Sequence, residues 1–170
     1  MESKSSMGFV DSFILICRDK NGKVKWIVDT RFDPVSLKGG SITNTGMAAV
    51  AGLILTDVGG TAFDFVGIGD SGAAEDAAHT DLQAAVNKKR KAATGTRVTT
   101  IQTNDTAQLV ATFAAADTLS GTWSVQEAAV FTLVAAGVML FRKIFTAKSV
   151  NWDAGDTLEL TAKCQVKQGA

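Results

Sequence analysis

The sequence predicts a mainly β protein: an antiparallel two-sheet β-sandwich, jelly-roll-like, with one or two short helices. Two stretches carry this. Across Thr106–Phe113, Ala107, Leu109, Ala111 and Phe113 share one parity and Gln108, Val110 and Thr112 the other. Near the end of the chain Leu158, Leu160, Ala162, Cys164 and Val166 alternate with Thr157, Glu159, Thr161, Lys163 and Gln165. A period of two with one apolar face marks strands that are wet on one side and covered on the other. Such strands need a second layer, and two packed sheets supply it. Composition is the third observation. The chain holds sixteen glycines and one proline, Pro34, and is rich in Ala and Thr. Thr suits strands, and that much glycine argues against long helices.

Taken in order, Ser12–Arg18 is apolar on both parities, which predicts a central strand. Asp19-Lys20-Asn21-Gly22-Lys23 follows, and Asn-Gly supplies the positive φ angles of a tight hairpin. Val24, Trp26 and Val28 then alternate with Lys23, Lys25 and Ile27. Thr30–Gly40 is a loop around Pro34. Thr43-Asn44-Thr45-Gly46 caps a short helix from Met47 to about Leu55, with Met47, Val50, Ala51 and Ile54 on one side. Asp57–Thr61 is a turn, Ala62–Ile68 a strand and Gly69–Ala78 a loop. Thr80-Asp81-Leu82-Gln83 has the pattern of a capping box and predicts a helix over residues 80–92. Lys88-Lys89-Arg90-Lys91 near its end suits the helix dipole.

Thr96–Thr103 opens the β-rich half, with turns at Asn104-Asp105, Asp117–Gly121, Ala135-Ala136-Gly137 and Asp153–Asp156. Trp123, Val125, Glu127, Ala129 and Phe131 share a parity. Glu127 therefore falls among apolar neighbours, which requires either a bulge that resets the face or a partner for the carboxylate. Met139, Phe141 and Phe145 share a parity with Lys143, a second sign of a bulge. The length of 170 residues fits one domain spanning 1–170, with residues 1–8 as an N-terminal arm.

Acidic and basic residues balance at 17 each, so no net field draws in nucleic acid or anionic lipid. The longest apolar runs, Phe13–Cys17 and Met47–Leu55, fall well short of the ~20 residues that span a bilayer. Met1–Gly8 is polar and has no signal-peptide pattern, which points to assembly in the cytoplasm. Cys17 and Cys164 do not make a disulfide framework. They are expected as buried free thiols, able to pair only if the two terminal strands are neighbours.

Motifs that suggest chemistry are weak. Gly67-Ile68-Gly69-Asp70-Ser71-Gly72 has dinucleotide-loop spacing, but the next helix signal comes too late and follows the acidic Glu75-Asp76, so a glycine turn is expected. Asp57-Val58-Gly59-Gly60-Thr61 has the look of the phosphate loop of sugar kinases in a chain too short for their second lobe. His79 is the only histidine, expected as an exposed flanker, and no His/Cys cluster provides metal ligands. No nucleophile-elbow motif supports a Ser-His-Asp triad. Glu127 is expected to make a structural hydrogen bond, and Lys88–Lys91 a solvated helix end. Trp26 and Trp123 fall with core residues, while Trp152 precedes a glycine turn and is a candidate sugar-stacking surface. No catalytic residue, cofactor or metal ligand is assigned.

A set of motifs in order gives a further expectation. Thr43-Asn44-Thr45-Gly46 and an Ala/Gly helix precede Phe65-Val66-Gly67-Ile68-Gly69 and Thr80-Asp81-Leu82-Gln83. Thr122-Trp123-Ser124-Val125-Gln126-Glu127-Ala128-Ala129-Val130-Phe131 and Met139-Leu140-Phe141-Arg142 follow, and the chain closes on Gly155-Asp156-Thr157-Leu158. This succession, from about Ile42 to Val166, resembles small structural proteins of tailed bacteriophages and related viruses. The resemblance implies a non-catalytic β-sandwich of the virion: a tail, baseplate or fibre-attachment subunit, or a capsid decoration protein. It implies other virion proteins as partners and a homo-oligomer. The alternative is a carbohydrate- or receptor-binding module on the same sandwich. A small enzyme using the glycine loop is the third class.

Overall fold

The computed structural model describes residues 7–36, 42–54 and 61–168. In order, the elements are β1 (Met7–Arg18), β2 (Val24–Asp29), α1 (Asn44–Leu53), β3 (Phe65–Gly69), β4 (Lys88–Ala92), β5 (Thr94–Val98), β6 (Thr106–Phe113), β7 (Thr122–Phe131), β8 (Met139–Asn151) and β9 (Thr157–Gln168). Sheet A has the strand order β2-β1-β9-β6-β5 and sheet B the order β4-β3-β7-β8. Every pairing is antiparallel. The chain is a β-sandwich with one α-helix among the described residues, as the alternating patterns require. No helix among the described residues is long and apolar enough to cross a membrane.

Sheet A contributes Phe13, Leu15, Cys17, Ala111, Phe113, Leu158, Leu160 and Ala162 to the core. Sheet B answers with Val66, Ile68, Val125, Ala128, Val130, Phe141, Phe145 and Val150. The Phe13 and Phe141 rings meet across the layers at 4.9 Å, and Trp123 and Trp152 pack edge to face at 5.8 Å. Each large side chain so buried stabilises the fold by ~1.5–3 kcal/mol. β1 is central, as its two apolar parities predict, and Gly22 takes the positive φ (79°) of the hairpin turn.

A bulge does reset the face at Glu127, and its extra residues lie on the facing strand, β8. Val125 pairs with Lys148 and Glu127 with Ile144, so Gln126 alone spans the space of residues 145–147 on β8. The parity flips there. Trp123 and Val125 face the main core before the bulge and Ala128 and Val130 after it. Ala129 and Phe131 turn to the outer face and form a second small core with Leu82, Met139 and Phe65.

Three expectations need correction. Residues 80–92 are not helical: 81–87 are irregular and Lys88–Ala92 is strand β4. Tertiary bonds override the local signal. Gln83 N–H and Ala84 N–H, which a first helical turn would leave free, donate to Glu127 at 3.0 and 2.8 Å. Asp81 is taken by Arg90 and Lys88 of β4. Val86, on the expected apolar side, is 83% exposed. The N-terminal arm is shorter than residues 1–8, because Met7 and Gly8 already pair in β1, opposite Gln168 and Lys167; residues 1–6 lie outside the described residues. Helix α1 is capped by Thr43, whose Oγ1 accepts from Gly46 N–H at 2.9 Å, but it does not bury Met47 and Ile54. It packs through Gly46 and Val50, because Gly46 sits against the backbone of Met139 and Leu140.

The terminal strands are neighbours, yet Cys17 lies opposite Leu158 and Cys164 opposite Asp11. That is six positions along the strand, ~20 Å at ~3.3 Å per residue, too far for a disulfide. Both thiols are free, and burial raises Cys17 to about 11 and Cys164 to about 12.

Exposed strand edges invite pairing with other chains, and folds block them. The β8 edge is covered by chain and side chains. Thr43 N–H donates to Leu140 O at 2.9 Å, Ser36 Oγ to Ile144 O, and Asp33 accepts from Thr146 N–H at 3.1 Å. The β4 edge carries Lys88, Lys89, Arg90 and Lys91. The β2 edge is tied to sheet B by Trp26, whose indole N–H donates to Ser149 O at 2.9 Å. The fourth edge, β5, has none of these devices among the described residues.

Candidate functional site

Two features stand out: a buried polar knot on the outer face of sheet B, and an apolar cleft at one end of the sandwich. The knot is built where β7 meets the bulge of β8. Glu127 is 0% exposed and Arg142, facing it from β8, 1%. Arg142 Nε donates to Glu127 at 2.6 Å. The pair then reaches into the segment 70–87. Glu127 accepts from Gln83 and Ala84 N–H, and Arg142 Nη2 donates to Ala73 O at 2.9 Å. One ion pair thus clamps both limbs of this loop to the sheet. Arg90 adds to the clamp, with its guanidinium 3.5 Å above the Phe131 ring and bonded to Asp81 at 2.6 Å.

The glycines of the dinucleotide-like spacing serve this packing. Gly67 and Gly69 are strand residues in β3, not a turn. A Cβ on Gly67 would lie 3.0 Å from Leu82 and from Phe131, and one on Gly69 would collide with the Glu127 carboxylate. Glycine here permits close approach of the strand to its neighbours.

Glu75 fastens the same loop to β8, accepting from Ile144 N–H at 2.9 Å, while its second oxygen is buried with no partner among the described residues. Burial pushes this carboxyl above its usual range. The Ile144 N–H and the Lys143 charge pull it down, Asp11 pushes it up, and Arg142 pulls it down. The folded protein therefore holds this proton more tightly than the unfolded chain. Its contribution to stability is present at acid pH and is lost as pH rises through the raised pKa. Glu75→Gln keeps an acceptor for Ile144 N–H without the charge. It is expected to be more stable than the parent at pH 7 and to lose that advantage at pH 4. Urea denaturation at the two pH values measures this, and a variant less stable than the parent at pH 7 would contradict it.

The cleft lies between the sheets beside α1, with a volume of about 620 Å³. Its walls include Phe9, Val50, Leu53, Phe63, Leu109 and Phe141. It exists because several inward positions at this end of sheet A are small: Gly95, Ala107, Ala162 and Cys164. Gly95, Leu109, Ala162 and Phe13 form one row across the sheet, and Arg97, Ala107, Cys164 and Asp11 the next. At the other end the same strands carry Phe113, Leu158, Leu160 and Leu15, and the sheets close. Arg97 on the sheet A lip and Asp64 on the sheet B lip both line the cleft. Neither side chain has a hydrogen bond or ion pair among the described residues. A pocket of this size lined mainly by apolar groups is a place for docking. Sequence reasoning did not find it. The available signal was the run of small residues on the inward parity of β5, β6 and β9.

The other sequence candidates fall elsewhere. His79 is half-buried rather than exposed, and among the described residues its Nδ1 has no partner. Lys88–Lys91 do not form a helix end, and all four are engaged: Lys88 and Arg90 with Asp81, Lys89 with Thr118, Lys91 with Asp117. Trp152 is 1% exposed and Trp123 is buried with it, so neither offers a face to a sugar ring. Asp57-Val58-Gly59-Gly60 lies outside the described residues. Among the described residues no group of three or more His, Cys, Asp or Glu is placed to hold a metal ion.

No protein-family model, curated protein or solved structure matches this chain.

Proposed function

We propose that this chain is a non-catalytic structural protein of a tailed virus, assembling through protein–protein interfaces. Its place is in the tail, baseplate or fibre attachment, or on the capsid as a decoration subunit. The observation that carries this reading is the fate of the residues behind the resemblance. Gly67 and Gly69, Leu82, Glu127 and Arg142 come from separate motifs, and all meet in the knot on sheet B. Both oxygens of Glu127 are taken by protein donors. Groups so engaged hold a fold together. What the molecule leaves open is a strand edge and an apolar cleft, the features that make an assembly interface.

The sugar-binding alternative loses its main support because Trp123 and Trp152 are spent on the core. Other virion proteins and further copies of the chain are the partners, with assembly in the host cytoplasm.

The test is expression of the chain with the genes that flank its own, followed by sedimentation of any particles formed. The protein is expected to co-sediment in fixed stoichiometry, as read by mass spectrometry of the particle fraction. Particles that form without it would overturn the reading.

A further inference from the structure

We infer that the outer edge of β5 is a self-association site, where a second copy of this chain pairs strand to strand about a two-fold axis. This rests on the assembly reading above and names its surface and partner. The first observation is the contrast between edges. β8 is covered by Thr43, Ser36 and Asp33, β4 carries four successive cations, and β2 is tied down by Trp26. The backbone of β5 pairs with β6 on one side, and among the described residues nothing bonds to its other side. Four of its five residues are exposed. Its one blocking device is the inward charge of Arg97, and a partner that neutralises this charge turns the edge into a template for another strand.

The second observation is self-complementarity. Gly95 and Arg97 occupy the inward positions of β5, in register with Leu109 and Ala107. An antiparallel pair centred on Thr96 sets Gly95 of each copy opposite Arg97 of the other. A Cβ on Gly95 would touch only Leu109, so this position leaves room for a long side chain from across the edge. Charge completes the match. Arg97 and Asp64 line opposite lips of the cleft, and neither has a side-chain partner among the described residues. Across the two-fold, Arg97 of each copy enters the other's cleft on the side of its Asp64. The result is one continuous sheet of ten strands, five from each copy.

The experiment uses the full chain. Sedimentation velocity across the micromolar range is expected to show a monomer–dimer equilibrium. Hydrogen exchange is expected to show slowed amides within Thr94–Val98 in the dimer only. Arg97→Glu is expected to weaken association by about tenfold or more, and Arg97→Glu with Asp64→Arg to restore it. Arg97 is exposed, so neither variant threatens the fold. Gly95→Lys, which places a charge on the inward side of the edge, is expected to give a monomer with an unchanged melting temperature. A monomer at every concentration would overturn the inference. So would a dimer whose β5 amides exchange freely, or one indifferent to Arg97→Glu. Incorporation into particles without β5 pairing removes this inference alone. Pairing in a protein that particles exclude removes the virion reading and leaves the paired edge.

Discussion

Glu127→Ala is expected to lower stability by about 3–5 kcal/mol, the range for breaking a buried ion pair from one side. The size follows from what is left behind. Arg142, 1% exposed, keeps its charge and loses its ion-pair partner. Gln83 and Ala84 lose the acceptor for their N–H groups. Glu159→Ala, on the outward parity of β9, is the control and should change stability by no more than ~0.5 kcal/mol. Replacing both partners, Glu127→Met with Arg142→Met, removes the unpaired charge but leaves the loop amides without acceptors. It should therefore recover only part of the loss. Urea denaturation followed by tryptophan fluorescence measures all three. A silent Glu127→Ala would mean that the knot does not hold the loop.

Gly46→Ala should be the most damaging change in the helix, although alanine is the better helix former by ~1 kcal/mol. The new Cβ would stand 2.5 Å from Leu140 O and 2.8 Å from Leu140 Cα and Met139 O. These are backbone atoms, so no side chain can swing aside, and α1 must lift from β8. Overpacking of this kind costs ~1–3 kcal/mol or more, and the clash outweighs the gain in propensity. Lifting also breaks the bonds from Thr43 to Met139 and Leu140 that cover the β8 edge. The variant is expected to unfold at lower urea and to exchange the amides of 139–141 faster. A variant as stable as the parent would show that α1 does not pack closely at this point.

The strands were legible because their information is local. Alternation in β6 and β9, Asn21-Gly22 in the first hairpin and Thr43 before α1 each carry their own signal. Glu127 was legible as an anomaly of parity, and both expected explanations hold at once: a bulge, carried by the facing β8, resets the face there, and the carboxylate is paired. Its partner was not legible, since choosing Arg142 requires the register across a bulge. Residues 80–92 misled because a capping box and a basic run are helical signals only when nothing distant competes. Here Glu127 and Asp81 outbid the helix for the same amides and side chains. The cleft was hidden for another reason. It is made by small residues on three strands, and only the assembled sheet brings them into two neighbouring rows.

The first and last strands lie side by side over twelve residues each, and β9 then separates β1 from β6. The strand in the middle of sheet A is thus made after both of its neighbours. Until residues 157–168 emerge, β1 and β6 have no strand between them and the larger sheet cannot close. Such distant pairing makes folding slow, and it leaves apolar strands open during synthesis. A nascent chain of this protein is therefore exposed to wrong partners until β9 has been made, and only then does that strand shut them out.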